Sequence, residues 1–491
     1  MSPHHRRRFI LPVTLLITLL LLAACASAPA VDDAPADATT DSAAAESAPT
    51  GSAAVATTEP ASPLSDPATW PAADPGIIAV DAAVRAGPIS PLLFGTNFGP
   101  WSAVPFDLLD ETRAAGLTLV RWPGGEWGDR NTITPALIDR FVAFAFDIGA
   151  EPLIHVRLLD GTPEAAAELV RYANVEKGYA IRYWAVGNEP NLYPPDEEWP
   201  AERIANDWRA IAQAMLAVDP DIVLMGPEVT GYLAPPANDP FTNEARAVMQ
   251  EFLRVNGDLV DVVTIHRYPF PLSLTDPPPT VDQLAGSTAE WDSMLADLRD
   301  MIRQTAGRDI PIGVTEFNAN WSKQGNGEAT PDSVPGALWL ADVLGRMIRA
   351  RAVVGAQFAL QSGPVLGFWG LMDRADVRPQ FYVYPLYARF GSELVYAAAG
   401  PGDEPPRVSA YAALGDAGQL TLLVINQGTT AADFTLRLAG HDGGAAEVYR
   451  LDAERVAAGT VASQAAETVE LADGAALTLP PQSATLYVLE P

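Results

Sequence analysis

Two glutamates close apolar, β-rich runs. Glu189 follows Arg182-Tyr183-Trp184-Ala185-Val186-Gly187-Asn188 and precedes Pro190, and Glu316 follows Ile310-Pro311-Ile312-Gly313-Val314-Thr315 and precedes Phe317. A carboxylate where a buried run stops being apolar sits at a chain exit, on a loop free to face a cleft. One such acid reads as half of a surface ion pair. A pair supplies what glycosidic bond cleavage needs: one carboxyl protonates the departing oxygen while the other acts on the anomeric carbon.

Counting the β runs locates the pair. Runs at 92–97, 117–122, 151–157, 182–186, 222–225, 261–266, 311–315 and 354–360 alternate with helical patterns such as 135–148, 201–218, 290–305 and 334–350. Eight β/α units predict an α/β fold, a (β/α)8 TIM barrel over 76–395, with Glu189 after the fourth strand and Glu316 after the seventh. Function in such a barrel gathers at the C-terminal ends of the strands.

Other residues at those ends have fitting chemistry. Arg121 opens Arg121-Trp122-Pro123-Gly124-Gly125 at the end of the second run, and its guanidinium can hold a carboxylate such as Glu316 ionised. Asn188 beside the first acid can both donate to and accept from a sugar hydroxyl. His266 ends the sixth run, either as a polar lining residue or as a neutral ring satisfying a backbone group. Trp127, Trp199 and Trp321 fall in loops on the same side, as sugar platforms or as packing beneath those loops.

After an aromatic helical segment at 380–390 the pattern changes. Short β runs at 408–414, 420–426, 434–438, 446–451 and 485–489 are separated by Gly, Asp and Pro turns and predict a β-sandwich over 396–491. A run at 77–84, ahead of the barrel, is placed to add a strand to it.

Asn188-Glu189-Pro190 after one strand and Thr315-Glu316-Phe317 after a later one resemble the signatures of the clan A retaining glycoside hydrolases, and the resemblance runs from residue 77 to the C-terminus. It implies a barrel with Glu189 as acid/base and Glu316 as nucleophile. It further implies that Tyr268 contacts the nucleophile, that Trp369 forms an aromatic floor under a sugar ring, and that no cofactor is required. Ile89-Ser90-Pro91-Leu92-Leu93-Phe94-Gly95-Thr96-Asn97, with the Arg121 to Gly125 motif, is similar to families of arabinofuranosidases, xylosidases and endo-β-glucanases, from which Pro123 departs. The activity so implied is retaining hydrolysis of a neutral poly- or oligosaccharide, a hemicellulose or plant-type β-glycan, by double displacement. A transglycosylase uses the same residues. A surface glycan-binding lipoprotein without turnover is the reading from another class, and the presence of both glutamates weighs against it.

The N-terminus reads as an address. Arg6-Arg7-Arg8, an apolar run over 9–22 and Leu22-Ala23-Ala24-Cys25 have the form of a bacterial lipoprotein signal peptide, 1–25, with Cys25 as the lipidated residue. Cys25 is the only cysteine, so an intrachain disulfide is excluded. Residues 26–75 hold no Lys or Arg and are built of Ala, Ser, Thr, Pro and Asp, the composition of a disordered tether. The expected location is extracytoplasmic, lipid-anchored to the cell envelope or secreted. A net charge of −30 repels nucleic acid, and with five histidines, two of them in the leader, the sequence predicts no metal centre.

Overall fold

The computed structural model describes residues 64–194, 199–236, 239–270, 276–322, 324–363, 367–401 and 407–491. The expected leader with Cys25, and most of the expected tether, lie outside these residues. A first strand, β1 (Ile77–Pro88), precedes eight parallel strands: β2 (Gly95–Asn97), β3 (Leu119–Trp122), β4 (Glu151–Val156), β5 (Tyr183–Val186), β6 (Val223–Thr230), β7 (Val262–Arg267), β8 (Ile312–Phe317) and β9 (Val354–Gln357). These eight close into a barrel in sequence order, the last pairing with the first through Gly95↔Ala356 and Thr96↔Gln357. The expected (β/α)8 architecture is the observed one.

The barrel interior is apolar below and polar above. Leu119, Leu153, Ala185, Met225, Val262, Val354 and Ala356 form its packed floor. Side chains alternate along a strand, so the next inward positions are two residues on. There stand the buried Arg121 on β3, His155 on β4 and Thr264 on β7, with His266 another two residues along β7. Period-two patterning thus turns an apolar core into a polar chamber at the C-terminal ends.

Helices wrap the outside, each through an apolar stripe at helical spacing. Ala201–Val218 buries Ile204, Ala205, Trp208, Ile211, Ala212 and Met215. Its Trp208 lies so close to β6 that a Cβ at Gly226 would stand 2.5 Å from the indole nitrogen, which is why that strand position carries glycine. Val334–Arg349 is buried along nearly its whole length, because one side faces the barrel and the other a second sheet.

That sheet contains β1 and eight later strands: β10 (Glu393–Ala399), β11 (Val408–Leu414), β12 (Leu420–Asn426), β13 (Ala432–Ala439), β14 (Gly444–Leu451), β15 (Glu467–Leu471), β16 (Ala476–Leu479) and β17 (Ser483–Leu489). Their order is β15-β14-β17-β12-β11-β10-β1-β13-β16, a mixed sheet curled around its own core of Ile78, Val80, Val395, Leu422, Leu436, Val448 and neighbours. The run ahead of the barrel therefore does join the sandwich, antiparallel to β10 and parallel to β13. Sequence patterning passed over β10, β15 and β16. In β10, Glu-Leu-Val-Tyr-Ala-Ala-Ala, the closing run of three alanines carries little strand preference.

Residues 64–75 correct the expected tether boundary. They are folded against the sheet: Ser65 N donates to the Arg85 carbonyl at 2.7 Å, Trp70 meets Tyr396 edge-on at 5.5 Å, and the Tyr396 hydroxyl donates to the Pro71 carbonyl at 3.1 Å. One aromatic residue, Trp70, is what composition alone undervalued.

Candidate active site

β5 ends at Val186, and the chain then turns through Gly187, at φ 82°, so that Asn188 and Glu189 emerge over the chamber. Glu189 takes a left-handed conformation, φ 47°, and its N–H donates to the Glu228 carbonyl at 3.0 Å. Asn188 is fixed from below, since its N–H donates to Asp129 at 2.8 Å. The buried Asp129 carboxylate also accepts from Leu158 N at 2.7 Å and the Tyr193 hydroxyl at 2.6 Å, binding together the ends of β4 and β5.

Glu316 stands near the end of β8 and its side chain retains only 7% exposure. Oε1 accepts from the Tyr268 hydroxyl at 2.7 Å, and Oε2 accepts from Arg121 Nη1 at 3.0 Å and from Gly125 N at 3.1 Å. The glycines after β3 thus bring a backbone N–H to this carboxylate. Burial pushes the Glu316 carboxyl up; the charge of His266 and, further down, that of Arg121 oppose it, and the net direction is upward. Burial and the negative charge of Glu316 push the Tyr268 phenol well above its ordinary value, so it stays a proton donor.

Arg121 is the hub. Nη1 donates to Asn97 Oδ1 at 2.8 Å as well as to Glu316, and Nη2 donates to Asn188 Oδ1 and to Glu228 Oε2, each at 2.8 Å. Two carboxylates, not one, face this cation. His266 links one of these, Glu228, to Glu189: Nδ1 lies 3.1 Å from Glu189 Oε1 and Nε2 lies 2.9 Å from Glu228 Oε2. One atom each of Glu189, His266 and Glu316 lie within 4.8 Å of one another. Such a trio has the span of a metal site, but both nitrogens of His266 already face carboxylates and have no lone pair to spare when protonated.

The structure brings together Glu189, Glu316, Asn188, Arg121, His266 and Tyr268. Trp369 is half-buried, with its ring 6.0 Å from Phe358, which in turn lies 6.3 Å from Trp101. Phe358 also flanks Gly125, the residue whose N–H meets Glu316. His266 does not satisfy a backbone group with its ring; its ring partners are the two carboxylates. Trp199 is no platform: it is buried against Tyr193 at 5.1 Å with the Arg203 guanidinium 3.8 Å over its ring. Trp127 is half-buried and Trp321 is 39% exposed.

Glu228 is the residue sequence reading missed. Met225-Gly226-Pro227 looks like the end of a strand, yet β6 continues through a register shift to Thr230 and carries Glu228 into the chamber at φ 64°. A charged residue two positions before Thr230 within an otherwise apolar and small-residue stretch was the available signal. His155, on β4, is fully buried, and burial together with the Arg121 charge keeps it neutral, well below its ordinary value.

Comparisons with known proteins bear on the fold and on the general class of the chain. No family profile matches the chain. The intracellular exo-α-(1→5)-L-arabinofuranosidase of Streptomyces lividans is 26% identical over 247 residues, 38% of this chain; the match spans 36% of that relative, well under half its length. Among solved structures, the α-L-arabinofuranosidase from Thermotoga maritima, in an arabinose complex, superposes with a TM-score of 0.66 at 18% identity, covering 84% of this chain and 99% of that one. A bifunctional glucanase-xylanase from a metagenome library superposes with a TM-score of 0.65 at 18% identity, covering 85% of this chain and all of that one. The relative and these structural neighbours are glycoside hydrolases, and the likeness to the solved structures is one of fold: barrel and curled sheet together.

Proposed function

We propose that the chain is a retaining glycoside hydrolase acting on a neutral hemicellulose or plant-type β-glycan. The observation that carries the reading is the approach of Glu189 and Glu316, one oxygen of each carboxylate lying within 4.8 Å of one of the other at the mouth of the barrel. Retaining enzymes hold their carboxyls about 5 to 5.5 Å apart, whereas inverting ones leave about 6.5 to 9.5 Å for a water.

Glu316 attacks the anomeric carbon, forming a C–O bond as the bond to the leaving oxygen breaks. Glu189 gives its proton to that oxygen. Glu189 then takes a proton from water as the water oxygen bonds to the anomeric carbon, and Glu316 leaves as a carboxylate with configuration retained. Tyr268, Arg121 and Gly125 N orient Glu316 for the first step, and Arg121 occupies the acceptor of Asn188, so that Asn188 offers the sugar its amide N–H. Trp369, continuing the aromatic row from Trp101 and Phe358, offers a face to the apolar side of a sugar ring. No step calls for a cofactor.

The substrate class is supported by the relative and neighbours, which are named as arabinofuranosidases and a glucanase-xylanase. The chain's own −30 charge disfavours polyanionic glycans. Its leader supports export and lipidation at Cys25, and with them a location outside the cytoplasm on the cell envelope. A panel of aryl α-L-arabinofuranosides, β-D-xylosides and β-D-glucosides with xylan and glucan, followed by proton NMR of the first-formed anomer, tests the reading. Turnover with retained configuration is expected; an inverted product, or silence across the panel, overturns it.

A further inference from the structure

Glu228 has no part in the two-carboxylate reaction, yet it is fully buried and shares a partner with each of its acids, Arg121 with Glu316 and His266 with Glu189. A lone carboxylate in that position carries a large desolvation penalty, so something must offset it. Each oxygen is engaged: Oε1 accepts from the Thr315 hydroxyl at 2.9 Å, and Oε2 accepts from Arg121 Nη2 at 2.8 Å while facing His266 Nε2 at 2.9 Å. Arg121 is an obligate donor, and its adjacent charge favours the carboxylate, so Glu228 is ionised.

That constrains His266. Its Nε2 faces an ionised carboxylate and therefore carries a proton, while its Nδ1, 3.1 Å from Glu189 Oε1, either donates to that oxygen as an imidazolium or accepts a proton from it as a neutral ring. The groups facing the ring are Glu228 on β6, Glu189 beyond β5 and Glu316 on β8, with Arg121 on β3 and the neutral His155 on β4 behind them. Three acids surround one imidazole, and Arg121 already grips two of them.

We infer that Glu228 is a positioning residue that holds His266 as a two-proton imidazolium, so that Oε1 of Glu189 is occupied by Nδ1–H and the proton Glu189 transfers is confined to its other oxygen. The inference rests on the proposed hydrolase reading for its catalytic half only. The electrostatics agree in direction. Burial works against charge on His266, but Glu316, Glu189 and Glu228 together raise it to about 9. Burial likewise works against charge on Glu228, but Arg121 first and His266 next bring it down to about 2. Were His266 neutral with a bare Nδ1, that lone pair would accept the Glu189 proton and turn it away from the substrate.

The sign for pH follows. The arrangement persists while His266 keeps both protons and is lost as pH rises through its titration near 9. Removing the Glu228 charge moves that titration down, by about one to two pH units for the loss of a neighbouring opposite charge. The test combines ¹⁵N NMR of the histidine side chains with pH profiles of kcat/KM, for the wild-type chain and Glu228→Gln, with His266→Gln assigning the resonance. We expect both nitrogens of wild-type His266 to be protonated at neutral pH. In Glu228→Gln its titration and the alkaline limb of kcat/KM should move together to lower pH.

A bare nitrogen on wild-type His266 at neutral pH overturns the inference, as does a Glu228→Gln variant that loses activity equally at every pH without moving the limb. The NMR measurement needs no substrate to be turned over, and its wild-type half does not depend on Glu228→Gln folding. If the glycoside panel fails while His266 titrates as expected, it is the hydrolase reading that falls, not the Glu228 to His266 couple.

Discussion

Tyr268 grips Oε1 of Glu316, the oxygen that Arg121 leaves alone: the phenol donates to it at 2.7 Å, while the guanidinium takes Oε2 at 3.0 Å. The carboxylate is thereby held at both oxygens by groups from different strands, β3 and the end of β7, and cannot swing toward solvent without breaking a charge-assisted bond.

Removing the phenol should release it. Tyr268→Phe is expected to lower kcat/KM by about 10- to 100-fold, the worth of one hydrogen bond to a charged group, with little change in melting temperature. Steady-state kinetics on the best aryl glycoside measure this, and a loss smaller than about twofold would mean that Arg121 and Gly125 orient Glu316 unaided.

The two acids should fail differently. Glu316→Ala should remove nearly all turnover, because no other group forms the covalent intermediate. Glu189→Ala should lose about 10²- to 10⁴-fold on ordinary glycosides and far less on one with an acidic phenol leaving group. Azide should then rescue Glu189→Ala with a glycosyl azide of retained configuration, and Glu316→Ala with an inverted one. Exchange of those products between the variants would reverse the two roles.

Asp342 joins barrel to sheet and gives an acid-sensitive contribution to stability. It is buried on the helix Val334–Arg349, accepts from Tyr411 at 2.6 Å and from Gln427 at 3.2 Å, and pairs with Arg346 at 3.0 Å. Burial favours its neutral form, yet Arg346 first and then Ser409, Thr288 and Tyr411 bring it down to about 2 from the ordinary 3.8. A depressed folded value means stability that is present above the unfolded value and lost as pH falls through the folded one, here between about pH 4 and pH 2. Asp342→Asn should therefore lower stability by about 2 kcal/mol at neutral pH, and the gap between variant and wild type in thermal melts should close toward pH 2. A gap that stays constant with pH would refute the electrostatic origin.

If Cys25 is lipidated as proposed, Cys25→Ser should abolish incorporation of labelled fatty acid in a bacterial host and leave the folded part intact. Labelling that persists in the variant would place the lipid elsewhere.

Much of the chamber was legible because barrel strands end where apolar patterning ends. Arg121, Asn188, Glu189, His266 and Glu316 each stand at or just past such a stop, so a count of strands put them on one rim. Glu228 escaped for a local reason. Pro227 lacks an N–H and Gly226 packs no side chain, so the pair reads as a break, whereas the strand absorbs it as an irregularity in its pairing with β7. The coupling of Glu228, His266 and Glu189 was also out of reach, since it depends on which ring nitrogen faces which acid across three strands. Trp199 shows the converse: a loop position suggested exposure, but its ring fills space beneath the loop.

The place of β1 in the curled sheet has a consequence for how the chain is made. β1 ends at Pro88, but its neighbours on either side are β10, starting at Glu393, and β13, starting at Ala432. A chain emerging N-terminus first therefore presents a strand with both edges open until the entire barrel has been synthesised. The barrel is an insertion between the halves of a clasp, and strands made after it, β10 and β13, close the first. Synthesis that stalls anywhere within the barrel leaves β1 without either neighbour, so this part of the sheet closes only after the whole barrel has been made.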